Sequence, residues 1–148
     1  MQDRTAIALI GWETRRLYRF ETECEILKPL RQRQSLDSLR HEAKKIWKTT
    51  FFRQTHDIPE LRFGPGTKHG TEMVSFYHWY DNYSEFAPGE RNYLVLSHEL
   101  VHAKGYEYHN QGFVAEYFKV LDHHFDIDLK ELSYQAEVYD LPYQPMIH

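Results

Sequence analysis

From Tyr93 to Ala103 the apolar residues Tyr93, Leu96, Leu100 and Ala103 recur at steps of three and four, so one side of a helix there is apolar. Pro88-Gly89 ahead of it and Gly105 behind it are start and stop signals. The pattern resumes beyond the glycine: Phe113, Tyr117 and Leu121 share one face, with Val114, Phe118 and Phe125 beside it. Upstream, Leu36, Leu39, Ala43, Ile46/Trp47 and Thr50 form another helical stripe, which Ser35 can cap, while Arg40, Lys44, Lys45 and Lys48 fall mostly off it. A last helix carries Leu129, Leu132, Ala136 and Tyr139 on one side, after the break Asp126-Ile127-Asp128 and with Asp128 and Glu131 as a capping pair. Residues 5–27 support two readings. Leu17, Phe20, Cys24 and Leu27 keep a helical period; Tyr18, Phe20, Thr22, Cys24 and Ile26 alternate as a strand would, and Lys28-Pro29 ends the element either way.

Alternation dominates between 57 and 86. Leu61-Arg62-Phe63 reads as a short strand, and Gly64-Pro65-Gly66 with Gly70 as a connecting turn. Thr71–Tyr80 predicts the best strand in the chain, with Val74, Phe76, His78 and Tyr80 facing one way and Met73, Ser75, Tyr77 and Trp79 the other. Asp81-Asn82 turns the chain, and Tyr83–Phe86 predicts a short edge strand. Pro142 and Pro145 make 141–148 an extended tail. The expected class is α+β: a small, mostly antiparallel sheet packed on helices.

Composition narrows this further. A chain of 148 residues with 16% aromatic side chains is expected to be one domain with a real hydrophobic core. Its basic, mainly helical part is 1–53, its core 57–125, and its C-terminal helix and tail 126–148. The single Cys24 excludes an internal disulfide and a Cys-rich zinc ribbon, and is itself expected in the core. Ala6–Ile10 is too short for a secretory signal and no run reaches membrane-spanning length, so a soluble cytoplasmic protein without membrane contact is expected. Net charge is −4, spread unevenly. Residues 1–53 hold twelve Lys/Arg against seven Asp/Glu (+5), and the remainder six against fifteen (−9). The basic part suits a solvated helix face or contact with nucleic acid, for which no recognised motif is present.

The chemistry concentrates in His98-Glu99-Leu100-Val101-His102. Residues four apart leave the same face of a helix, about 6 Å apart along its axis, so both imidazoles can reach one Zn²⁺. Glu99 is then placed to act as general base on the water that the metal activates. A third ligand is required. On an unbroken helix His109 would lie about 10.5 Å beyond His102, but Gly105 can adopt a left-handed conformation and let Tyr106-Glu107-Tyr108 carry the chain back. A histidine there, at the start of the next helix, is kept neutral by the helix N-terminus. Glu116 on that helix is the main rival; His123 and His124 suit a solvated pair near a helix end. His78 between aromatics reads as structural, as do His41 and Trp47.

These residues, with Phe113 four positions after His109, resemble the SprT-like and related minimal zincin metallopeptidases, whose third ligand is the histidine of an H-G-x-x-F type motif. Asn110 stands where that motif has glycine, and the gap from His102 to His109 is shorter than usual. The layout is also similar to small single-domain metallohydrolases of bacterial and phage type. The longer metzincin pattern HExxHxxGxxH fits less well: Gly105 is in register, His109 is one residue late, and Met146 lies in the tail. The resemblance covers about residues 71–125 and implies a zincin-like domain, zinc held by His98, His102 and His109, and hydrolysis of a protein or peptide lying along part of 71–86. Tyr106, Tyr108, Tyr134 and Tyr139 are candidate oxyanion donors or simple packing residues. Two other expectations compete: a zinc-stabilised module that binds nucleic acid or protein without catalysis, and a regulatory protease with one target.

Overall fold

Helical periodicity prevails over alternation in residues 5–27. Helix α1 spans Arg4–Glu23, and a 3-10 helix follows over Glu25–Arg31 with Pro29 inside it. Leu17, Phe20, Cys24 and Leu27 are all buried, whereas Thr22, one of the alternating set, is exposed. The computed structural model describes residues 4–51 and 57–143, with side chains from residue 11 onward. Five α-helices, one 3-10 helix and five strands make these described residues α+β. They fall into two compact units, one formed by residues up to 26 together with those from 106 on, the other by 27–105.

The second unit holds α2 (Leu36–Thr49), strands β1 (Glu60–Phe63), β2 (Thr67–His69), β3 (Glu72–Val74), β4 (Phe76–His78) and β5 (Tyr83–Phe86), and α3 (Tyr93–Lys104). Ser35 caps α2 as expected, accepting from the Ser38 N–H at 3.1 Å. Leu39, Ala43 and Ile46 bury the predicted stripe, and α2 packs on α3 and β1.

The sheet differs from expectation in two places. Tyr83–Phe86 is not an edge: in the order β1-β5-β4 it is the middle strand, parallel to β1 and antiparallel to β4. Ser84 and Phe86 are fully buried, and both flanks of the strand are paired. The strand read over Thr71–Tyr80 is broken at Ser75. There the Ser75 N–H donates to the Glu90 carboxylate and the Ser75 hydroxyl accepts from the Ala87 N–H. The alternation fails because Val74 and Ser75 are both buried. β3 pairs instead with β2 as a separate antiparallel hairpin, in what the glycines suggested was only a turn. Gly66 makes that hairpin fit: its φ is +83°, and a Cβ there would collide with the Val74 carbonyl and the Ala87 side chain.

The first unit packs α1 with α4 (Gln111–Phe125) and α5 (Leu129–Val138). Phe20 meets Phe118 and Tyr139 with ring centroids 5.8 and 5.7 Å away, and the Tyr117 hydroxyl donates to buried Glu21 at 2.8 Å. Left-handed Asp126 (φ 57°) ends α4, and Asp128 caps α5 by accepting from the Lys130 N–H. Leu132 and Ala136 bury the face of α5, but Leu129, expected with them, is 40% exposed in the first turn. Cys24 is buried as a small core residue. Tyr143 packs on Phe118 with the ring planes tilted by 54°; the rest of the expected tail, 144–148 with Met146, lies outside the described residues. Among the described residues no helix is long and apolar enough to cross a membrane.

Candidate active site

Asn92 starts α3: its side chain accepts from the Val95 N–H at 2.9 Å, and its carbonyl from Leu96. The helix is then buried on nearly every side rather than along one stripe. Leu94, Leu96, Leu100 and Val101 are at or below 1% exposure, and His98 and Glu99, which are not part of the row Tyr93, Leu96, Leu100 and Ala103, are only 4% and 3% exposed. A buried imidazole beside a buried carboxylate is costly unless each has partners, so such a pair is kept for structure or chemistry.

One turn on, His102 faces His98. Their Nε2 atoms are 3.1 Å apart, with ring centroids 4.9 Å apart at 61°. Two donors bound about 2.0–2.1 Å from one tetrahedral ion stand about 3.3 Å from each other. The pair therefore fits zinc without rearrangement of the helix, and neutral imidazoles are the donor type that zinc takes. The same spacing also allows one ring to donate to the other.

Gly105 ends α3 with φ 126° and ψ 6°, its N–H donating to the His102 carbonyl at 3.0 Å. Only glycine accepts that backbone without strain.

His109 belongs to the other compact unit and immediately precedes the N-cap of α4, as expected. Asn110 is that cap, accepting from the Phe113 N–H at 3.1 Å. The His109 ring stands edge-on to Phe113 (4.9 Å, 89°) and to Tyr18 (6.0 Å, 62°). Its Nδ1 lies 2.9 Å from the Thr14 hydroxyl on α1. With Nδ1–H donating to Thr14, Nε2 keeps its lone pair for a metal, the arrangement by which metal-binding histidines are usually oriented. No sequence signal marks Thr14, because the contact spans 95 positions.

No family model, curated protein or solved structure matches the chain.

Glu116 is half-buried on α4. Burial first, and then its negative charge, push the Tyr106 phenol above its ordinary range, so Tyr106 stays a protonated donor. Tyr139 packs on Phe20, whereas Tyr108 and Tyr134 are 42% and 61% exposed. His123 and His124 occupy the last turn of α4, the latter against Phe125. His78 stacks on Tyr83 at 5.2 Å and accepts from the Asp81 N–H, which is a structural role. Trp47 packs edge-on to Phe51, and His41 is exposed.

Proposed function

We propose that the protein is a zinc-dependent metallopeptidase of zincin type, with His98, His102 and His109 as one metal-binding group and Glu99 as general base. The observation that carries the reading is the facing Nε2 pair of His98 and His102, 3.1 Å apart, with the buried Glu99 carboxylate on the same turn of helix. His109 is supported as the third ligand by its place just ahead of the N-cap of α4 and by the Thr14 hydroxyl, which orients its ring.

Bound zinc would supply Lewis acidity to polarise the peptide carbonyl and to acidify the attacking water. Glu99 takes the proton from that water and returns it to the nitrogen of the departing amine. Burial keeps bulk water from competing for the carboxylate. Tyr106, Tyr108 and Tyr134 are the candidate oxyanion donors, since Tyr139 packs on Phe20. The substrate class is protein or peptide.

Metal analysis and peptide hydrolysis test the proposal together. The purified protein is expected to carry one zinc per chain, and His102→Ala and His109→Ala to lose it. Glu99→Gln is expected to keep zinc and lose about 10²-fold or more in turnover. Zinc retained in His109→Ala but lost in Glu116→Gln would replace the third ligand. Zinc binding without hydrolysis of any peptide, together with a salt-sensitive shift of DNA, would favour the non-catalytic module.

A further inference from the structure

We propose that the turn between β4 and β5 is a docking site for a cationic side chain, and that the partner it fits is a polypeptide segment carrying arginine. The turn consists of Trp79, Tyr80, Asp81 and Asn82, all within the unit of residues 27–105. Trp79 and Tyr80 are 77% and 78% exposed, more than any other large hydrophobic side chain described. Turns are ordinarily built from Gly, Pro, Asn, Asp and Ser, so the backbone does not require two rings held out in water.

The backbone beneath those rings is tied down. Asn82 has a φ of 49°, and its carbonyl accepts from the Glu60 N–H at 3.1 Å. Its side chain donates to the Asp57 carbonyl at 3.0 Å and accepts from the Tyr77 hydroxyl at 2.8 Å. The Asp81 N–H donates to His78 Nδ1 at 3.2 Å. Rings carried on an ordered backbone lose less freedom when a partner arrives.

Two observations select a cation. The rings stand at 86° with centroids 5.7 Å apart, so their faces meet in a corner where one group can touch both. Aromatic faces carry the negative part of the ring quadrupole and attract ammonium and guanidinium groups. The chain covers other rings in this way: Arg62 lies 4.0 Å over Tyr83, Arg91 4.1 Å over Phe63 and Arg15 5.7 Å over Trp12. Among the described residues no lysine or arginine stands over Trp79 or Tyr80.

The second observation is the sign of the local charge. Arg62, on the adjoining sheet, is engaged by Glu60 at 3.1 Å as well as by Tyr83. The Asp81 carboxylate lies 3.7 Å from His78 Nδ1, but that nitrogen accepts the Asp81 N–H and carries no proton, so the carboxylate keeps its charge. Asp57, tied to Asn82, adds a second exposed carboxylate. An apolar group would meet the rings and gain nothing from these charges, and an anion would be repelled by both. Arginine suits the turn best, because its planar guanidinium stacks on a ring face while its N–H groups reach a carboxylate. The site uses none of the metal chemistry proposed above.

The test is fluorescence anisotropy of a dye-labelled tetrapeptide of D-arginine titrated with the full chain. D-residues resist hydrolysis, so the result does not depend on the peptidase reading. The comparison probe is the same peptide in D-citrulline, which has nearly the shape of arginine but no charge. Saturable binding of the arginine probe is expected, about tenfold or more tighter than that of the citrulline probe. Trp79→Leu and Tyr80→Leu, both at exposed positions, are each expected to weaken it several-fold. Trp12→Leu and Glu137→Gln, an exposed ring and an exposed carboxylate of the other unit, are expected to leave it unchanged. Equal binding of the two probes overturns the proposal, as does binding that both turn variants leave intact or that Glu137→Gln weakens as much. Absence of arginine binding also overturns it; self-association abolished by Trp79→Leu would then assign the turn to a second copy of the chain.

Discussion

The Thr14 hydroxyl and His109 Nδ1 are 2.9 Å apart, a side-chain contact across 95 positions of sequence. A hydrogen bond of this kind fixes both the tautomer and the orientation of a ligating imidazole, and losing it commonly costs ~10–100-fold in metal affinity. Thr14→Val is therefore expected to weaken zinc binding by about that factor in a chelator-competition titration. Thr14→Ser is expected to restore it. In a His109→Ala background the Thr14 substitution is expected to have no further effect on affinity.

Metal and stability are linked through the native state. An ion held only by the folded protein adds about 2.7 kcal/mol at a hundredfold excess over its Kd. Chelation is thus expected to lower the midpoint of thermal unfolding, and added zinc to restore it. In His102→Ala the midpoint is expected to be indifferent to both, as calorimetry would show.

Tyr77 links stability to alkaline pH. Burial pushes its phenol above the ordinary value of 10.0, and its hydroxyl donates to Asn82 Oδ1 at 2.8 Å. A group whose folded pKa is raised contributes fully below its unfolded pKa, and that contribution is lost as pH rises through the folded pKa. Tyr77→Phe is expected to cost about 1 kcal/mol at neutral pH through the lost hydrogen bond. It is also expected to make the fall in stability above about pH 10 shallower, as denaturant titrations across that range would show.

Gly66 tests the hairpin of β2 and β3. With φ +83° and a would-be Cβ 2.8 Å from the Ala87 Cβ, Gly66→Ala faces backbone strain of about 1–3 kcal/mol before any steric cost. A lower unfolding midpoint is expected, with exchange of the hairpin amides accelerated.

What the sequence made legible was local. The stripe Leu39, Ala43, Ile46, the Ser35 cap and the stop at Gly105 all depend on residues within a few positions of each other, and each stands where periodicity and capping rules put it. The spacing of His98 and His102 was readable for the same reason. Ser75 was not, because the bonds that break its strand come from Ala87 and Glu90, and no rule of alternation anticipates a partner outside the sheet ladder. Tyr83–Phe86 read as an edge because four residues show which face is buried but not how many neighbours flank them. The burial of His98 and Glu99 was also hidden: an apolar row shows one packed side, whereas α3 is covered almost all round. Thr14 meets His109 across 95 positions, and only folding brings the two together.

The unit that contains His109 is assembled from both ends of the chain, α1 on one side and α4 with α5 on the other, with residues 27–105 between them. During synthesis Phe20 on α1 therefore emerges long before Phe118 and Tyr139, the rings it packs against. The intervening unit faces no such delay, since its strands and both its helices arrive as one uninterrupted run. A nascent chain whose Gly105 has cleared the ribosomal tunnel while α4 has not would consequently display a finished sheet and the histidine pair, beside an apolar helix still waiting for its mates.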